Sequence, residues 1–552
     1  LEKIDIDMMD TMEWAYSEIR KIQNAARSGN PIFKPRWPMI VMKTPKGWTG
    51  IKELHGKKIE GNCLSHQVPA PNSRKDPTEL KTLEEWLRSY NIDALFDEKG
   101  SIRPIVRDAC PTGDKRMGAN RYVQPAFKAM TMPDIFKYET RVDTGARGMP
   151  MVSATLQGGN LMAEIFENNV GRFKIFSPDE LESNKLHGVF KVTHRNYQWC
   201  EPMAHDDGGV IEVLSEHTCQ GLMQGYVLTG RFALFPSYEA FLGIIATMMA
   251  QYAKFIKICK EITWRHSVPS INYIESSTLW RQEHNGFSHQ NPGFINSLIN
   301  MKSDVVRVYL PPDANCLVST LAHCLKSKDY INLIVSSKNE GPTWLTMEEA
   351  VEHCRAGASI WKWAGNETDY SRDPDIVLVG CGNETTTEVI AAAQLLKKHC
   401  PTMIIRVVNI TDLMILELDS CHPHGLTCEL FHALFTKDKP VIMNFHGYPS
   451  AVKQLLFGRE NLQRFEILGY IEEGTTTTPF KMLAANKASR FDICIEAIRK
   501  VTPFNPQIAV DAPVKIPYFQ HVLRKHEVYC LEHNADPVEL NEIMNPSGPL
   551  FD

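Results

Sequence analysis

Three short constellations hold residue types suited to chemistry. The first is Leu214-Ser215-Glu216-His217, followed downstream by Tyr238 and Phe241. An acid at the head of an apolar helix is partly desolvated, which suits proton exchange. Tyr238 and Phe241 stand three apart, so on a helix they would share a face and form an aromatic wall. A helix-capping acid in front of core aromatics would produce the same pattern. The second constellation is Trp280–Phe294, WRQEHNGFSHQNPGF. Two histidines, two asparagines and a glutamine fall within eight of its residues, bracketed by Gly and Pro. Burying so many polar groups would demand a partner for each, so a solvent-reachable loop is expected. Histidine is the usual proton carrier near neutral pH. The third, Glu472–Phe480, is EEGTTTTPF; its threonines suit a strand edge facing water or a helix entrance and specify no chemistry alone.

Positioning these groups requires layered α/β structure. Short apolar runs alternate with longer amphipathic ones along the chain. Met8–Arg27 reads as a helix. Trp37–Lys43 (WPMIVMK) reads as a buried strand ended by Thr44-Pro45-Lys46-Gly47, residues 69–77 as a surface loop, and Leu80–Tyr90 as a helix. A turn-rich basic segment near 111–120 marks a first boundary. Strands are then expected at Phe173–Phe176, Val305–Leu310 and Tyr330–Ser336, with a helix entered within Ile211–Gln224 and a long one over Tyr238–Ile258. A second boundary falls in Ala364–Pro374. Beyond it, Asp375–Gly380, Thr402–Val408 and Val441–Phe445 read as strands of a right-handed βαβ domain. Gly380-Cys381-Gly382 suggests a dinucleotide fingerprint, but Thr385 stands where its third glycine belongs; a tight strand-to-helix turn accounts for the pair.

With 552 residues the chain is too long for one core. A net charge of -5 at this length offers nothing to attract nucleic acid or an anionic membrane surface. The most apolar stretch, Ala240–Ile256, is interrupted by Gln251, Tyr252 and Lys254 and is expected to be a buried helix rather than a membrane span. Fourteen cysteines without repeated spacing argue against a disulfide framework and for a reducing, cytoplasmic setting. Cys421-His422-Pro423-His424 lacks the second pair of ligands that a structural zinc site needs, so no metal is assigned there.

Longer segments carry a resemblance. RWPMIVMKTPKGWTG (36–50), HQVP (66–69), WRQEHNGFSHQNPGFIN (280–296), RVYLPPDANCL (307–317), GPTWLTMEEA (341–350), HPHGL (422–426), HGYP (446–449) and GYIEEGTTTTPF (469–480) resemble, in order, the sequences of phosphoketolases. That resemblance implies a transketolase-like, thiamine-diphosphate-binding α/β fold with parallel-sheet domains and a C-terminal βαβ domain, with active sites at a homodimer interface. It implies cleavage of xylulose 5-phosphate or fructose 6-phosphate by inorganic phosphate, giving acetyl phosphate plus glyceraldehyde 3-phosphate or erythrose 4-phosphate. Mapped onto this sequence, Glu216 matches the acid that protonates the cofactor's aminopyrimidine. Tyr238 and Phe241 match its aromatic contacts, and Asp179 resembles a further thiamine contact. His66, Asn285 and His289 match polar residues around the reacting centre, and Lys338 resembles a lysine beside phosphate, where a point charge is apt.

Departures from the family accompany the match. Arg121-Tyr122-Val123-Gln124-Pro125-Ala126 replaces a Pro-His-Ala-Asn-Gly-Gly-like stretch, and Ser177 stands where glycine is usual. The Gly-Asp-Gly motif that holds diphosphate and Mg²⁺ in the family occurs nowhere in these residues. Residues 1–115 are therefore expected to be the end of a diphosphate-binding domain whose first part is missing, 116–365 a pyrimidine-binding domain and 366–552 a C-terminal domain. On this expectation the chain by itself is incomplete for catalysis. Two other readings remain open: a non-catalytic relative acting as a regulatory or assembly subunit, and a transketolase-like two-carbon transfer to an aldehyde.

Overall fold

The computed structural model describes residues 2–116, 119, 127–263, 265–369 and 372–544. The altered 121–126 segment lies outside the described residues. The chain divides into two compact units, Leu1–Arg116 and Met117–Asp552.

The first unit has a long helix, Glu2–Arg27, and a second, Pro77–Ser89. The second helix begins where it does because the Asp76 side chain accepts from the Thr78 and Glu79 N–H groups and Pro77 presets the first turn. It packs Leu83 and Trp86 on a small core of Ile51, Leu54, Ile59 and Ala70. The apolar run Trp37–Lys43 does not form the expected buried strand: it has no regular structure, and Met39 and Val41 are more than three-quarters exposed. A strand needs a neighbour for its N–H and C=O groups, and among the described residues none pairs with this run.

The second unit is built on two sheets. Seven parallel strands lie in the order Arg195–Tyr197, Val210–Glu212, Phe173–Ser177, Phe232–Tyr238, Ile271–Ser277, Ile331–Val335, Val306–Tyr309. Strands such as FALFPSY and INYIESS are buried along nearly their whole length. Helices cover both faces of such a sheet, so its strands carry continuous apolar or small residues rather than an alternating pattern. From Phe173–Ser177 the chain winds toward one edge, then returns to lay Phe232–Tyr238 on the other side of that first strand. The order reverses there, and in open parallel sheets the crevice beyond the strands' carboxyl ends at such a point is where ligands bind.

The stretch Glu239–Glu261 is long and apolar enough to cross a membrane by length and composition alone. It is not one continuous helix. Tyr238 ends a strand, Glu239–Leu242 makes one turn, Gly243–Ile245 tightens, and Ala246–Glu261 continues. Its face bearing Leu242, Ile245, Met249, Tyr252 and Ile256 is buried in the main core, so packing on the sheet satisfies its apolar side.

The other sheet holds Ile376–Cys381, Ile405–Ile410, Val441–Phe445 and Phe465–Leu468 in parallel, with Ala358–Ile360 antiparallel at one edge. Phe294, Ile295 and Leu298 of the helix Gly293–Ile299 share a single core with Val377, Val379 and Phe445 of this sheet. Each such fully buried side chain contributes about 1.5–3 kcal/mol. The helix following the Trp280–His289 loop is thereby anchored to the second sheet.

Candidate active site

The crevice at the reversal point collects side chains from three strand ends. Asp179 follows Phe173–Ser177, and the Ser177 hydroxyl donates to its carbonyl at 2.5 Å. Tyr238 ends Phe232–Tyr238. Lys338 follows Ile331–Val335, its N–H bonded to the Ser276 carbonyl at 2.7 Å beside the end of Ile271–Ser277. Lys338 Nζ donates to the Tyr238 hydroxyl at 2.5 Å and stands 3.9 Å from that ring's centroid, a charge-assisted hydrogen bond combined with a cation–π contact.

Tyr238 and Phe241 do form a wall, although not from one helix face. Tyr238 is the last strand residue and Phe241 sits in the turn after it, yet the rings stack within 6° of parallel at 6.2 Å between centroids. His289 meets both edge-on, at 6.2 Å from Tyr238 and 5.0 Å from Phe241. Its Nδ1 pairs with the Ser288 hydroxyl at 2.9 Å.

Burial sets the electrostatics. It lowers the Lys338 ammonium to about 8, partly countered by Asp179. Burial raises the Asp179 carboxyl to about 6, with the neighbouring Glu180 adding and Lys338 opposing. His289 is held below the usual imidazole range, first by burial and then by His284 and Lys338, so it is neutral at pH 7. Tyr238 is raised, first by burial and then by the Asp179 charge. Near neutral pH the crevice therefore holds a Lys⁺/Asp⁻ pair, a neutral imidazole and a half-buried aromatic wall.

Glu216 is the first residue of the helix Glu216–Leu228, whose start is capped by the Ser215 hydroxyl accepting from Thr218 N–H at 3.2 Å. A carboxylate there is favoured by the helix dipole. The helix follows Val210–Glu212, so Glu216 also lies at the carboxyl edge of the sheet, half-buried. Asn285 reaches the Gln282 side chain at 3.1 Å and His284 at 3.2 Å. His66 belongs to the other unit, where it ends the exposed turn Cys63–His66.

The loop carrying Asn285 and His289 is held from the second sheet. Gln290 Nε2 donates to the Thr475 carbonyl at 2.9 Å, and Gly286, at φ +67°, leaves room for Thr476. The threonine run thus serves as the loop's backing. Trp280, only 1% exposed, donates its indole N–H to the His446 carbonyl at 3.0 Å.

Possible metal positions lie elsewhere. His422 and His424 face Arg307, with Arg307 Nε donating to His424 Nε2 at 3.1 Å, and His424 Nδ1 is 2.5 Å from Asp412. Among the described residues one group, His55, Asp76 and Glu79, brings its donor atoms within 4.8 Å of one another. Asp76 there caps its helix and Glu79 accepts from the Asn72 N–H at 2.6 Å, which gives both acids structural employment.

Comparison with known proteins gives this geometry a family. Three models match the chain: the phosphoketolase N-terminal domain over residues 2–127, D-xylulose 5-phosphate/D-fructose 6-phosphate phosphoketolase over 157–327, and the phosphoketolase C-terminal domain over 338–545. A probable phosphoketolase of Rhodopirellula baltica is 44% identical over 550 residues, covering 98% of this chain and 68% of that protein. The chain belongs to the phosphoketolase family.

A probable phosphoketolase of Schizosaccharomyces pombe is 45% identical over 533 residues, covering 97% of this chain and 63% of its own length. Family membership makes the chain part of an enzyme of the phosphoketolase class, a lyase. The fold is transketolase-like. A transketolase mutant from Pichia stipitis superposes with a TM-score of 0.52 at 14% identity, over 68% of this chain and 49% of that one. A second structure of that enzyme, complexed with sedoheptulose 7-phosphate, gives 0.52 at 13% identity over 78% and 54%. Within this phosphoketolase chain, Glu239, Glu275 and His446 are buried beside the crevice and were not singled out by sequence. The available signal was an acid between Tyr238 and Phe241, in a run otherwise apolar.

Proposed function

We propose that this chain supplies the pyrimidine side of a thiamine-diphosphate site in an enzyme that cleaves xylulose 5-phosphate and/or fructose 6-phosphate with inorganic phosphate. The products are acetyl phosphate and glyceraldehyde 3-phosphate or erythrose 4-phosphate. The observation that carries this reading is the half-exposed Tyr238/Phe241 stack at the reversal point, faced by His289 and by the Lys338–Asp179 pair. A planar heteroaromatic ring fits against such a wall, and a carboxylate at a helix start suits a ring nitrogen. Thiamine diphosphate, when bound, supplies the carbanion-stabilising centre that lets a ketose carbon–carbon bond break.

The chain's own residues divide the remaining work. Glu216 holds a proton at the pyrimidine ring nitrogen and orients that ring. Tyr238 and Phe241 stack on it and exclude water. His289, neutral and tied at Nδ1, offers Nε2 for proton exchange at the reacting centre, and Asn285 orients a substrate hydroxyl beside it. Lys338 supplies a compact positive charge for a phosphate group, and Asp179 keeps that lysine ionised. The sequence holds no Gly-Asp-Gly, so no residue of this chain is assigned to Mg²⁺ or the diphosphate, and the active enzyme is proposed to be a homodimer. Residues 1–115, 116–365 and 366–552 correspond to diphosphate-binding, pyrimidine-binding and C-terminal domains. A cytoplasmic small-molecule enzyme, without nucleic-acid or membrane partners, is the setting proposed.

The test is acetyl phosphate formation, trapped as the hydroxamate, from either ketose phosphate plus phosphate in the complete enzyme. Glu216→Gln is expected to abolish it. Full activity in that variant removes Glu216 from the site.

A further inference from the structure

Behind the aromatic wall lies a buried polar junction that none of the roles above uses. Glu239, fully buried, sits between Tyr238 and Phe241 in sequence. Its Oε2 accepts the Leu279 N–H at 2.7 Å, and its Oε1 accepts from His446 Nε2 at 2.8 Å. His446, 1% exposed, follows the strand Val441–Phe445 of the other sheet, and its backbone N–H bonds to the Cys381 carbonyl at 2.9 Å. Its carbonyl is the acceptor for the Trp280 indole. One carboxylate of the wall's own turn therefore touches the residue just before the Trp280–His289 loop and an imidazole anchored in the second sheet.

The surroundings are arranged around this pair. Gly382 is at φ +110°, and a Cβ there would lie 2.7 Å from His446 Cβ. The glycine pair of Gly380-Cys381-Gly382 thus makes room for His446. Glu384, from the helix starting just after, accepts the Thr278 hydroxyl at 2.9 Å and adds negative charge near the imidazole. Glu275, also fully buried, has both carboxylate oxygens without a hydrogen-bond partner. Two adjacent buried carboxyls do not both ionise, and burial together with the Glu239 charge pushes Glu275 well above the usual range. Glu275 is therefore held toward its neutral form, while His446, against the opposing effect of burial, is raised above the usual imidazole range by the pairing with Glu239.

We infer that Glu239 and His446 are positioning residues for the proposed reaction, locking the Tyr238/Phe241 wall and the Asn285/His289 loop in register with each other. A buried ion pair is commonly no more stabilising than apolar residues of equal volume, so stability alone does not account for it. What a directional pair adds is geometry, since both oxygens of Glu239 are committed to separate elements. This inference rests on the thiamine-site reading.

The experiment uses the complete enzyme with Glu239→Gln, His446→Phe and His446→Gln. Thermal melting, kcat, KM for the ketose phosphate and calorimetric affinity for thiamine diphosphate are measured for each. A misplacement of about 1 Å at reacting groups lowers turnover on the order of 10²-fold, and a loss of that order in kcat is expected for Glu239→Gln and His446→Phe. Cofactor affinity should weaken in both, and melting should fall as well because each substitution leaves one buried partner unpaired, so kcat and affinity are compared on the folded fraction. His446→Gln, whose amide still donates to Glu239, should recover much of the loss. Unchanged kcat and affinity in all three variants overturns the inference, and so does activity that only follows the folded fraction, with no recovery in His446→Gln. A wild-type enzyme that fails to bind thiamine diphosphate overturns the thiamine-site reading instead.

Discussion

Replacing Lys338 by arginine should move the alkaline limb of the enzyme's pH profile. Burial brings the Lys338 ammonium to about 8, so roughly nine-tenths of it is charged at pH 7 and roughly one-tenth at pH 9. On the role proposed for Lys338 as counter-charge to a phosphate group, kcat/KM for inorganic phosphate should fall roughly tenfold between these pH values. At the acid end Asp179, raised to about 6, loses its anion as pH falls, and with it the attraction that favours the charged lysine. The fully charged pair therefore exists between about 6 and about 8. A guanidinium stays protonated throughout this range, so Lys338→Arg should retain the acid limb and flatten the alkaline one, at some cost in absolute rate from altered geometry at Tyr238. Lys338→Met should remove phosphate dependence at every pH. Initial rates of acetyl phosphate formation at saturating ketose phosphate and varied phosphate, across pH 5.5–9.5, provide the assay. An alkaline limb with the same midpoint in wild type and Lys338→Arg would refute the assignment of that limb to Lys338.

Further outcomes follow from particular contacts. Gly286→Ala puts a Cβ 2.1 Å from Thr476 Oγ1 on a backbone at φ +67°; the backbone strain costs on the order of 1–3 kcal/mol, and a melting scan should register it with loss of turnover through the displaced His289. Phe241→Ala removes half of the aromatic stack and should weaken thiamine diphosphate binding by about 1 kcal/mol, roughly fivefold, readable by calorimetry. Arg406 binds Glu367 through two hydrogen bonds of 2.8 and 2.6 Å, both residues buried. Leaving that arginine without its partner in Glu367→Ala should cost about 3–5 kcal/mol, seen as a lower urea midpoint.

Family and secondary-structure framework were legible in the sequence because both rest on local patterns. The strand Val441–Phe445 falls where its apolar run lies, and Ile376–Cys381 and Ile405–Ile410 overlap their expected segments. The exception, Trp37–Lys43, has the composition of a buried strand but no neighbour among the described residues, and composition cannot supply a neighbour. The aromatic wall illustrates the same limit at the site. Residue types and motif identified Tyr238 and Phe241, yet the helix face invoked for them does not exist, and strand-to-turn geometry brings the rings together instead. Asp179, Tyr238, His289 and Lys338 meet only because parallel strands deliver their carboxyl ends to one crevice, at a reversal in strand order that no local pattern encodes. The Glu239–His446 pair is further from reach, since its partners are 207 positions apart and come from different sheets. The sequence by itself determined which side chains are present and which short segments become strands or helices. Only the tertiary structure decided which of them share a crevice and which are desolvated, because both depend on long-range packing and on the exclusion of water it produces.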